Sequence, residues 1–261
     1  GANLVRRLEA LAGVSEIVVV DDLSFGFREN LDGTTATLVE GSILDEELLR
    51  HATDGASTIV HLAARSSVPR SVAEPMATHE VNATGTALVL EAARHAGDVQ
   101  VIVASSSSVY GSTDVLPKHE GLVARPISPY AASKLATESY ALAWGHSYGL
   151  PVLALRFFNV FGPLQPPAHT YAAVIPAFLA AACSGTPLPV HGNGTQCRDF
   201  TFVGSVVDVL AQAITRQVSH PDPVNLAFGT RVTLLEVIAE LEHILERRLP
   251  VDHLPTRVGD V

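Results

Sequence analysis

Four stretches of the chain are almost continuously apolar, with polar residues mainly at their ends: EIVVVDD (16–22), STIVHLAA (57–64), VQVIVASSSS (99–108) and PVLALRFFNV (151–160). A strand that is apolar on both faces, rather than on alternate residues, is typical of a parallel sheet covered by helices on both sides. Stretches that predict helices lie before and between these strands, at 4–11, 45–53, 76–96 and 129–148. This alternation predicts an α/β fold, a Rossmann-like doubly wound parallel sheet.

The pattern changes after about residue 160, where prolines interrupt it. The later part of the sequence predicts helices at 172–184, 205–217 and 233–246, with a Gly-rich segment at 191–200. We therefore divide the chain into a Rossmann domain (1–160) and a smaller α/β region (161–261) that is interwoven with it. No strand precedes the first helix, so the sequence predicts that this chain starts inside its first βα unit.

Composition narrows the classes of partner. The chain is 47% hydrophobic and 17% charged, which is enough apolar material for a large folded core. Its formal net charge of -10 argues against nucleic acid as a partner, because that binding needs clustered Lys and Arg. Cys183 and Cys197 are too few for a disulfide framework and indicate a reducing, cytoplasmic setting. No apolar run approaches a bilayer-spanning length, so the sequence predicts no membrane partner.

Two adjacent carboxylates end the first predicted strand. Asp21 and Asp22 lie about 20 residues after Gly1. In a dinucleotide-binding fold an acidic residue at this offset binds the adenosine ribose, and it repels the extra phosphate of NADP. The alternative is that these carboxylates form a turn or a helix cap, which is the commoner role of an acidic residue at a strand end.

A Tyr and a Lys at YxxxK spacing open the helix at 129–148. Tyr130 and Lys134 lie one turn apart on the same face, and an ammonium beside a phenol favours the phenolate, a general base. The four serines of ASSSSVYG (104–111) end the preceding predicted strand, so both groups lie where parallel sheets bind ligands. A surface helix and a polar turn are the structural alternatives. His61 and His191 have no second ligand at useful spacing, so we read them as structural or ligand-lining and expect no metal.

Ten motifs follow one another in a recognisable order and spacing: VVVDDLSFG, VEGSILD, TIVHLAARSSVPRS, NATGT, ASSSSVYG, SPYAASK, LRFFNVFGP, YAAVIP, GNGTQCRDF and RVGDV. Over essentially the whole chain, they resemble the NAD-dependent epimerase/dehydratase family, the extended short-chain dehydrogenases that act on nucleotide sugars. The resemblance implies NAD as cofactor, a UDP-sugar as substrate and a homodimer formed in part by the helix at 76–96. Packing of that helix on its own sheet is an equally open alternative.

The resemblance also implies site residues. For the chemistry it implies Tyr130 as the base, Lys134 as the group that lowers its pKa and binds a ribose, and Ser106 as the hydroxyl that holds the reacting oxygen. With Tyr130 and Lys134, the implied cofactor-binding residues are Gly1, Asp21, Asp22, Ser42, Ile43, Leu62, Ala63, Ala64, Asn82, Ser105 and Phe157. With Ser106 and Tyr130, the implied substrate-binding residues are Ser66, Ser107, Ser108, Asn159, Ala173, Val174, Val190, His191, Arg198, Arg257 and Asp260.

The chain departs from the family pattern in places. Only Gly1 remains of the glycine-rich turn, and the chain stops just after Asp260. The resemblance therefore implies a fragment without either end, which as it stands binds the cofactor poorly or not at all. Ser42 replaces a usual Asp, and Gly204 and Ser205 replace a usual acidic pair.

The implied reaction is epimerisation at C4 of the sugar. The first alternative is a 4,6-dehydratase or another NAD-dependent enzyme that modifies nucleotide sugars. Dehydration needs an acid and a base, which in the family are acidic residues directly after the catalytic hydroxyl. Those positions are Ser107 and Ser108, which cannot do that proton work near pH 7. A second alternative is a protein that senses a dinucleotide without catalysis, because a fold does not fix a function.

Overall fold

The structure is a computed structural model that describes residues 1–97, 99–166 and 173–255. In its first half the helices are α1 (Ala2–Glu9), α2 (Glu46–Ala52), α3 (Val68–Ala73), α4 (Pro75–His79), α5 (Gly85–Ala96) and α6 (Pro129–Tyr148). The strands there are β1 (Val18–Asp21), β2 (Thr37–Glu40), β3 (Thr58–His61), β4 (Gln100–Ser106) and β5 (Val152–Phe157). Short 3-10 turns span Arg28–Leu31 and Ser107–Tyr110, and a π turn spans Glu80–Thr84.

The second half adds three helices, α7 (Val174–Ser184), α8 (Val203–Thr215) and α9 (Leu234–Ile244). Its strands are β6 (Asn159–Phe161), β7 (Leu188–His191), β8 (Cys197–Arg198), β9 (Phe200–Phe202), β10 (Val224–Leu226), β11 (Val232–Thr233) and β12 (Val251–Leu254). No helix in the described part of the chain is long and apolar enough to cross a membrane.

The main sheet is parallel and has the order β10, β5, β4, β3. β1 and β2 form a separate parallel pair, which is not hydrogen-bonded to β3. In the doubly wound strand order the first strand lies between the second and the fourth. The break between β1 and β3 is therefore at the position of the strand that the sequence analysis expected to be missing.

Helices cover both faces of the main sheet, as the apolar strands predicted. Val101 and Val103 of β4 pack with Leu90 and Ala141, on α5 and α6. Ile102, between these two valines, belongs to the core on the opposite face, where α1 and α8 pack. This is the physical meaning of a strand without polar alternation, and the predicted doubly wound α/β fold is confirmed.

The second half of the chain has its own core and also joins the main sheet. Phe178, Leu188 and Ile238 pack together between α7, β7 and α9. β12 pairs in parallel with β7, whereas β10 pairs with β5 at the edge of the main sheet. The two regions are thus continuous through β10 and α8.

The predicted elements mostly occur, with ends that differ by a few residues. The helix expected at 76–96 is divided into α4, a π turn and α5. The strand expected at 151–160 is divided into β5 and β6, because β6 leaves the main sheet to pair with β9. Several elements of six residues or fewer have no counterpart in the prediction, because such segments are too short to give a clear period. They are β2, α3, β7, β10, β11 and β12.

Candidate active site

The serines, Tyr130 and Lys134 meet where β4 ends and α6 begins. Ser106 is the last residue of β4, and the 3-10 turn follows it directly. Ser128 caps α6 by accepting a hydrogen bond from the Ala131 amide (3.1 Å), and Pro129 occupies the first turn. This cap fixes the start of the helix and places Tyr130 and Lys134 in its first two turns.

The hydroxyls of Tyr130 and Ser106 lie close to one another. Burial raises the pKa of Tyr130 above its ordinary value, because a phenolate is poorly solvated there, and the neighbouring Ser106 hydroxyl partly opposes this rise. Ser106 Oγ in turn accepts from the Ser108 hydroxyl (2.9 Å) and the Ser108 amide (3.2 Å). With two donors already directed at it, the Ser106 oxygen has its own proton available for Tyr130.

Lys134 is buried and its ammonium is bound to the backbone. Its Nζ donates to the Ala104 carbonyl at 2.8 Å, and burial lowers its pKa to about 8. The expected lowering of the Tyr130 pKa is not found in this geometry, where the net shift is upward. The reason is that both groups are desolvated at once, which disfavours the charged form of each.

His61 lies beneath Lys134 and is structural. Its Nε2 is 2.9 Å from Thr86 Oγ1, and the side chain is buried. Burial, followed by the nearby charge of Lys134, lowers the pKa of His61 to about 3, so the imidazole is neutral at physiological pH. Among the described residues there is no cluster of His, Cys, Asp or Glu that could hold a metal ion.

Ser105 differs from its neighbour. Its hydroxyl donates to Glu138 Oε2 at 2.8 Å and the residue is buried, so the side chain points into the core. The hydroxyl is thus engaged within the protein, and the predicted contact of Ser105 with the cofactor stays a prediction that would use its backbone atoms.

A cavity of about 420 Å³ lies beside β1. Ser106, Tyr130 and Lys134 are not among the residues that line it. Gly1, Asp21, Phe25 and Gln165 are among its lining residues. This volume is in the range of small-molecule sites. The Oε1 atom of Gln165 is buried without a hydrogen-bond partner among the described residues, so the wall holds an acceptor suited to a ligand donor.

The two carboxylates at the end of β1 have separate environments. Asp21 borders the cavity, and its Oδ1 accepts from the Leu23 amide at 2.8 Å. Asp22 is exposed and accepts from the amide (3.0 Å) and hydroxyl (2.6 Å) of Ser24. Both carboxylates thus have the turn geometry that was the structural alternative, but only Asp21 also lines the cavity, where it fits a ribose-binding group.

Other predicted cofactor residues are engaged with the protein. Asn82 is buried; its Oδ1 accepts from the Arg65 amide (2.7 Å) and its Nδ2 donates to Ser133 Oγ (2.9 Å). It therefore ties the loop after β3 to α6. Ile43 is also buried in an apolar cluster, and the cofactor-binding roles of both residues stay predictions. Ser42 Oγ accepts from the Leu44 amide at 3.1 Å.

Three further predicted cofactor residues pack against the apolar clusters that cover the sheet. These are Leu62, Ala63 and Phe157. Ala64 is half-buried in the loop after β3. The loop thus runs along the ends of the strands, where the structure brings it close to α6 through Asn82.

On the side expected to bind substrate, two predicted residues lie next to Asp199. They are Asn159 at the start of β6 and Arg198 on β8. The amide and Nδ2 of Asn159 both donate to the Asp199 carbonyl, each at 3.1 Å. Arg198 directly precedes Asp199 and donates from Nη1 to the Cys197 carbonyl at 2.9 Å. Asp199 was missed by sequence reasoning, although it forms part of the GNGTQCRDF motif; its carboxylate also accepts from the Thr230 amide at 3.0 Å.

The side chain of Val190 is fully buried in the core of the second region, so the predicted position of this residue near the nucleotide base concerns its backbone and stays a prediction. Its neighbour His191 is half-buried and its Nδ1 lies 2.8 Å from the Pro255 carbonyl. Ser66 and Ala173 are exposed, and Val174 begins α7. Arg257 and Asp260 lie outside the described residues.

Sequence reasoning also missed an ion pair behind the serines. Glu138 and Arg156 are both buried and bonded to one another. The available signal was Arg156 itself, because a charged residue inside an apolar strand must have a partner.

Comparisons with known proteins agree with this geometry. Residues 1–227 match the sequence profile of the NAD dependent epimerase/dehydratase family. The chain is 38% identical over 219 residues to a UDP-glucose 4-epimerase of Mycolicibacterium smegmatis, covering 82% of this chain and 69% of that protein. Several other curated relatives are much longer, and the chain spans about a third of their length, between 30% and 36%.

Two solved structures illustrate the range of activities in the comparison. A UDP-N-acetylglucosamine 4-epimerase of Methanobrevibacter ruminantium M1, in complex with UDP-N-acetylmuramic acid, is 34% identical with a TM-score of 0.92, covering 100% of this chain and 83% of that one. A dTDP-glucose 4,6-dehydratase of Streptomyces venezuelae with NAD bound is 31% identical with a TM-score of 0.89, covering 100% and 82%. Because the profile match extends over most of the chain, this protein belongs to the NAD-dependent epimerase/dehydratase family.

Proposed function

We propose that this protein is a nucleotide-sugar 4-epimerase that acts on a UDP-hexose. The observation that carries the proposal is the arrangement around Ser106. Its hydroxyl lies beside that of Tyr130, and the two residues that follow it, Ser107 and Ser108, carry no carboxylate. The site thus contains the groups for proton removal at one hydroxyl and lacks, directly after Ser106, the acid–base pair that dehydration needs.

Bound NAD supplies the hydride acceptor, and later the hydride donor, at the sugar C4 carbon. Tyr130 takes the proton of the C4 hydroxyl, and Ser106 holds that oxygen in place by a hydrogen bond. Since burial raises the pKa of Tyr130, its phenolate needs a nearby positive charge. In the proposal Lys134 provides that charge, because a pKa of about 8 leaves it mostly protonated at pH 7. Tyr130 then returns the proton to the same oxygen.

The cofactor and the nucleotide sugar are assigned to different residues. We propose that Gly1 and Asp21 bind NAD at the cavity beside β1, with the Asp21 carboxylate on a ribose hydroxyl. We propose that Asn159 and Arg198 face the sugar diphosphate, since a guanidinium binds phosphate oxygens in pairs. The remaining sequence-based assignments on the substrate side stay predictions.

A 4,6-dehydratase is the second candidate. The observation that favours it is the match to a dTDP-glucose 4,6-dehydratase at a TM-score of 0.89, which shows that the same fold carries both reactions. Both begin with the same oxidation at C4, so the residues after Ser106 have to separate them. Their lack of carboxylates supports the epimerase.

Two further proposals concern the setting of the enzyme. We propose a homodimer formed in part by the segment at 76–96, where Met76 is exposed. We propose a cytoplasmic location because Cys183 and Cys197 are both free thiols, as a reducing compartment requires.

The direct test is incubation of the NAD-loaded protein with UDP-glucose, UDP-galactose, UDP-N-acetylglucosamine and UDP-glucuronate, with inversion at C4 followed by NMR. The proposal expects at least one C4 epimer to form. Formation of a 4-keto-6-deoxy sugar instead would identify a dehydratase. Binding of NAD without turnover of any nucleotide sugar would favour the non-catalytic alternative.

Tyr130→Phe should lower the rate of inversion by roughly 10²- to 10⁴-fold, the usual contribution of a general acid–base group. The NAD content of the purified protein should stay unchanged. Tyr140→Phe is the matched control on the same helix, because Tyr140 is partly exposed and lies away from Ser106. A Tyr130→Phe protein as active as the control would contradict the assigned role.

A further inference from the structure

A buried ion pair lies behind the candidate active site. Arg156 on β5 donates from Nε to Glu138 Oε2 (2.8 Å) and from Nη2 to Glu138 Oε1 (2.6 Å), with 5% and 4% of the two side chains exposed. Burial opposes the charge on Arg156, but its hydrogen bonds to Glu138 and Tyr110 outweigh burial and raise the pKa of the guanidinium. A buried ion pair is weak evidence for stability, because desolvation offsets the attraction. What the pair connects is therefore more informative than its charge.

The ion pair is attached to both ends of the serine turn, which we define as residues 105–110. At one end the Ser105 hydroxyl donates to Glu138 Oε2 at 2.8 Å. At the other end the Tyr110 hydroxyl accepts from Arg156 Nη1 at 2.9 Å. Ser106 lies between these two attachments, so it cannot move without breaking at least one buried hydrogen bond.

The same pair is attached to the helix that carries the candidate base. Glu138 follows Lys134 by one turn of α6, and Tyr130 lies a further turn towards the N-terminus. One carboxylate thus receives a hydrogen bond from the strand that ends in Ser106 while it sits on the helix that presents Tyr130. The two hydroxyls assigned to proton transfer are therefore carried by elements that share this carboxylate.

A third attachment extends to the edge of the main sheet. The Tyr110 hydroxyl donates to Asn225 Oδ1 on β10 at 2.6 Å. The Asn225 amide donates to Glu120 Oε1 at 2.8 Å, and its Nδ2 donates to the Lys118 carbonyl at 3.2 Å. The serine turn is therefore fixed to β10 and to the loop before α6 as well as to the ion pair.

We propose that Glu138, Arg156 and Tyr110 are positioning residues that hold Ser106 against the Tyr130 hydroxyl. The proposal rests on the proposed function, because the hydrogen bond they fix is the one assigned to proton transfer. All three side chains are buried, so they act through Ser106 and Tyr130. Their loss should therefore lower kcat and leave KM for the nucleotide sugar nearly unchanged, since a misplacement of about 1 Å costs up to roughly 10²-fold in rate.

The test uses two conservative substitutions, each of which removes one hydroxyl group and leaves the ion pair itself intact. Tyr110→Phe removes the hydroxyl between Arg156 and Asn225 but keeps the ring, and Ser105→Ala removes the hydroxyl on Glu138. Each should lower kcat roughly 5- to 10-fold, the effect of one hydrogen bond. The double variant should lower kcat roughly 10- to 100-fold, with KM within about twofold of wild type.

Gln100→Met is the matched control at the other end of the same strand. Gln100 opens β4, is fully buried and donates to the carbonyls of Ala213 (3.2 Å) and Val218 (2.7 Å). Its Oε1 also accepts from Thr58 Oγ1 at 3.1 Å, so its loss removes three hydrogen bonds far along the strand from Ser106. It should lower Tm by at least as much as the double variant and leave kcat unchanged.

The outcomes separate this proposal from the proposed function. If the wild-type protein inverts no nucleotide sugar, the proposed function fails before any variant is measured. If the wild type is active and the double variant loses Tm but keeps kcat, like the control, the positioning role is wrong. A raised KM with unchanged kcat also overturns it, because the residues would then shape substrate binding. Should the double variant not fold, Tyr110→Phe alone decides by the same criteria.

Discussion

The two ends of the candidate site hold their polar side chains in different ways. At the serine-turn end, around Ser106 and Tyr130, Lys134, Glu138 and Arg156 are buried and bonded to other protein groups. At the cavity end, around Asp21, the carboxylates are half-buried or exposed and accept hydrogen bonds from neighbours two residues away. The first end is fixed by contacts between distant parts of the chain, and the second by local turns.

This difference matches two physical demands. Proton transfer needs donor and acceptor oxygens held within a few tenths of an ångström, which requires a rigid, desolvated surrounding. Binding of a ligand needs polar groups that are still available to exchange water for the ligand. The serine-turn end meets the first demand and the cavity end meets the second.

The largest stability effect should come from the buried ion pair. Glu138→Gln leaves the Arg156 charge without its partner and should lower the free energy of unfolding by about 3–5 kcal/mol. Glu40→Gln, which breaks the exposed pair with Arg28, should cost under about 1 kcal/mol. Urea unfolding of both variants measures the contrast. Equal losses would show that the serine-turn end is no more dependent on its polar contacts than the surface is.

Burial of the Lys134 ammonium at the serine-turn end should lower the free energy of unfolding. Its pKa falls from 10.5 to about 8 on folding, so its ammonium opposes folding most below pH 8, and this penalty fades as pH rises towards 10.5. Lys134→Met should therefore raise the free energy of unfolding at pH 7 by up to about 3 kcal/mol while abolishing turnover. The gain should narrow at pH 9.5 in urea unfolding. A Lys134→Met protein less stable than wild type at pH 7 would contradict this reading.

Substitutions at the cavity end should change the affinity of the protein for NAD. Asp21→Asn should weaken NAD binding roughly 10-fold, since a hydrogen bond to a charged group is lost. Asp22→Asn should weaken it less than about threefold, because its carboxylate is bonded to Ser24 and lies outside the cavity lining. Isothermal titration with NAD compares them. A larger effect at Asp22 would reverse the assignment.

The smallest effect should come from Ser108. Its hydroxyl donates to Ser106 Oγ, so Ser108→Ala removes one of the two hydrogen bonds that orient that oxygen. We expect kcat to fall about 5-fold with unchanged stability. Ser112→Ala, at an exposed serine just after the turn, is the control. No change at Ser108 would mean that its amide alone is enough to orient Ser106.

Most of the fold could be predicted because its signal is local. Continuous apolar strands such as 99–108 indicated burial on both faces, and Val101, Ile102 and Val103 do pack on opposite sides of the sheet. β2 and α3 were missed because four to six residues carry too little pattern. The split of 151–160 was missed because pairing of β6 with β9 depends on a strand 40 residues away.

The sequence by itself determined the sheet class, the helix at 129–148 and the spacing of Tyr130 and Lys134, since each depends on residues within one or two turns of one another. Only the tertiary structure decided that Glu138 meets Arg156, that Asp21 rather than Asp22 borders the cavity, and that Val190 is buried. Burial and long-range pairing depend on which segments pack together. Desolvation can then reverse an expectation drawn from local charge: Lys134 was expected to lower the pKa of Tyr130, but burial raises it.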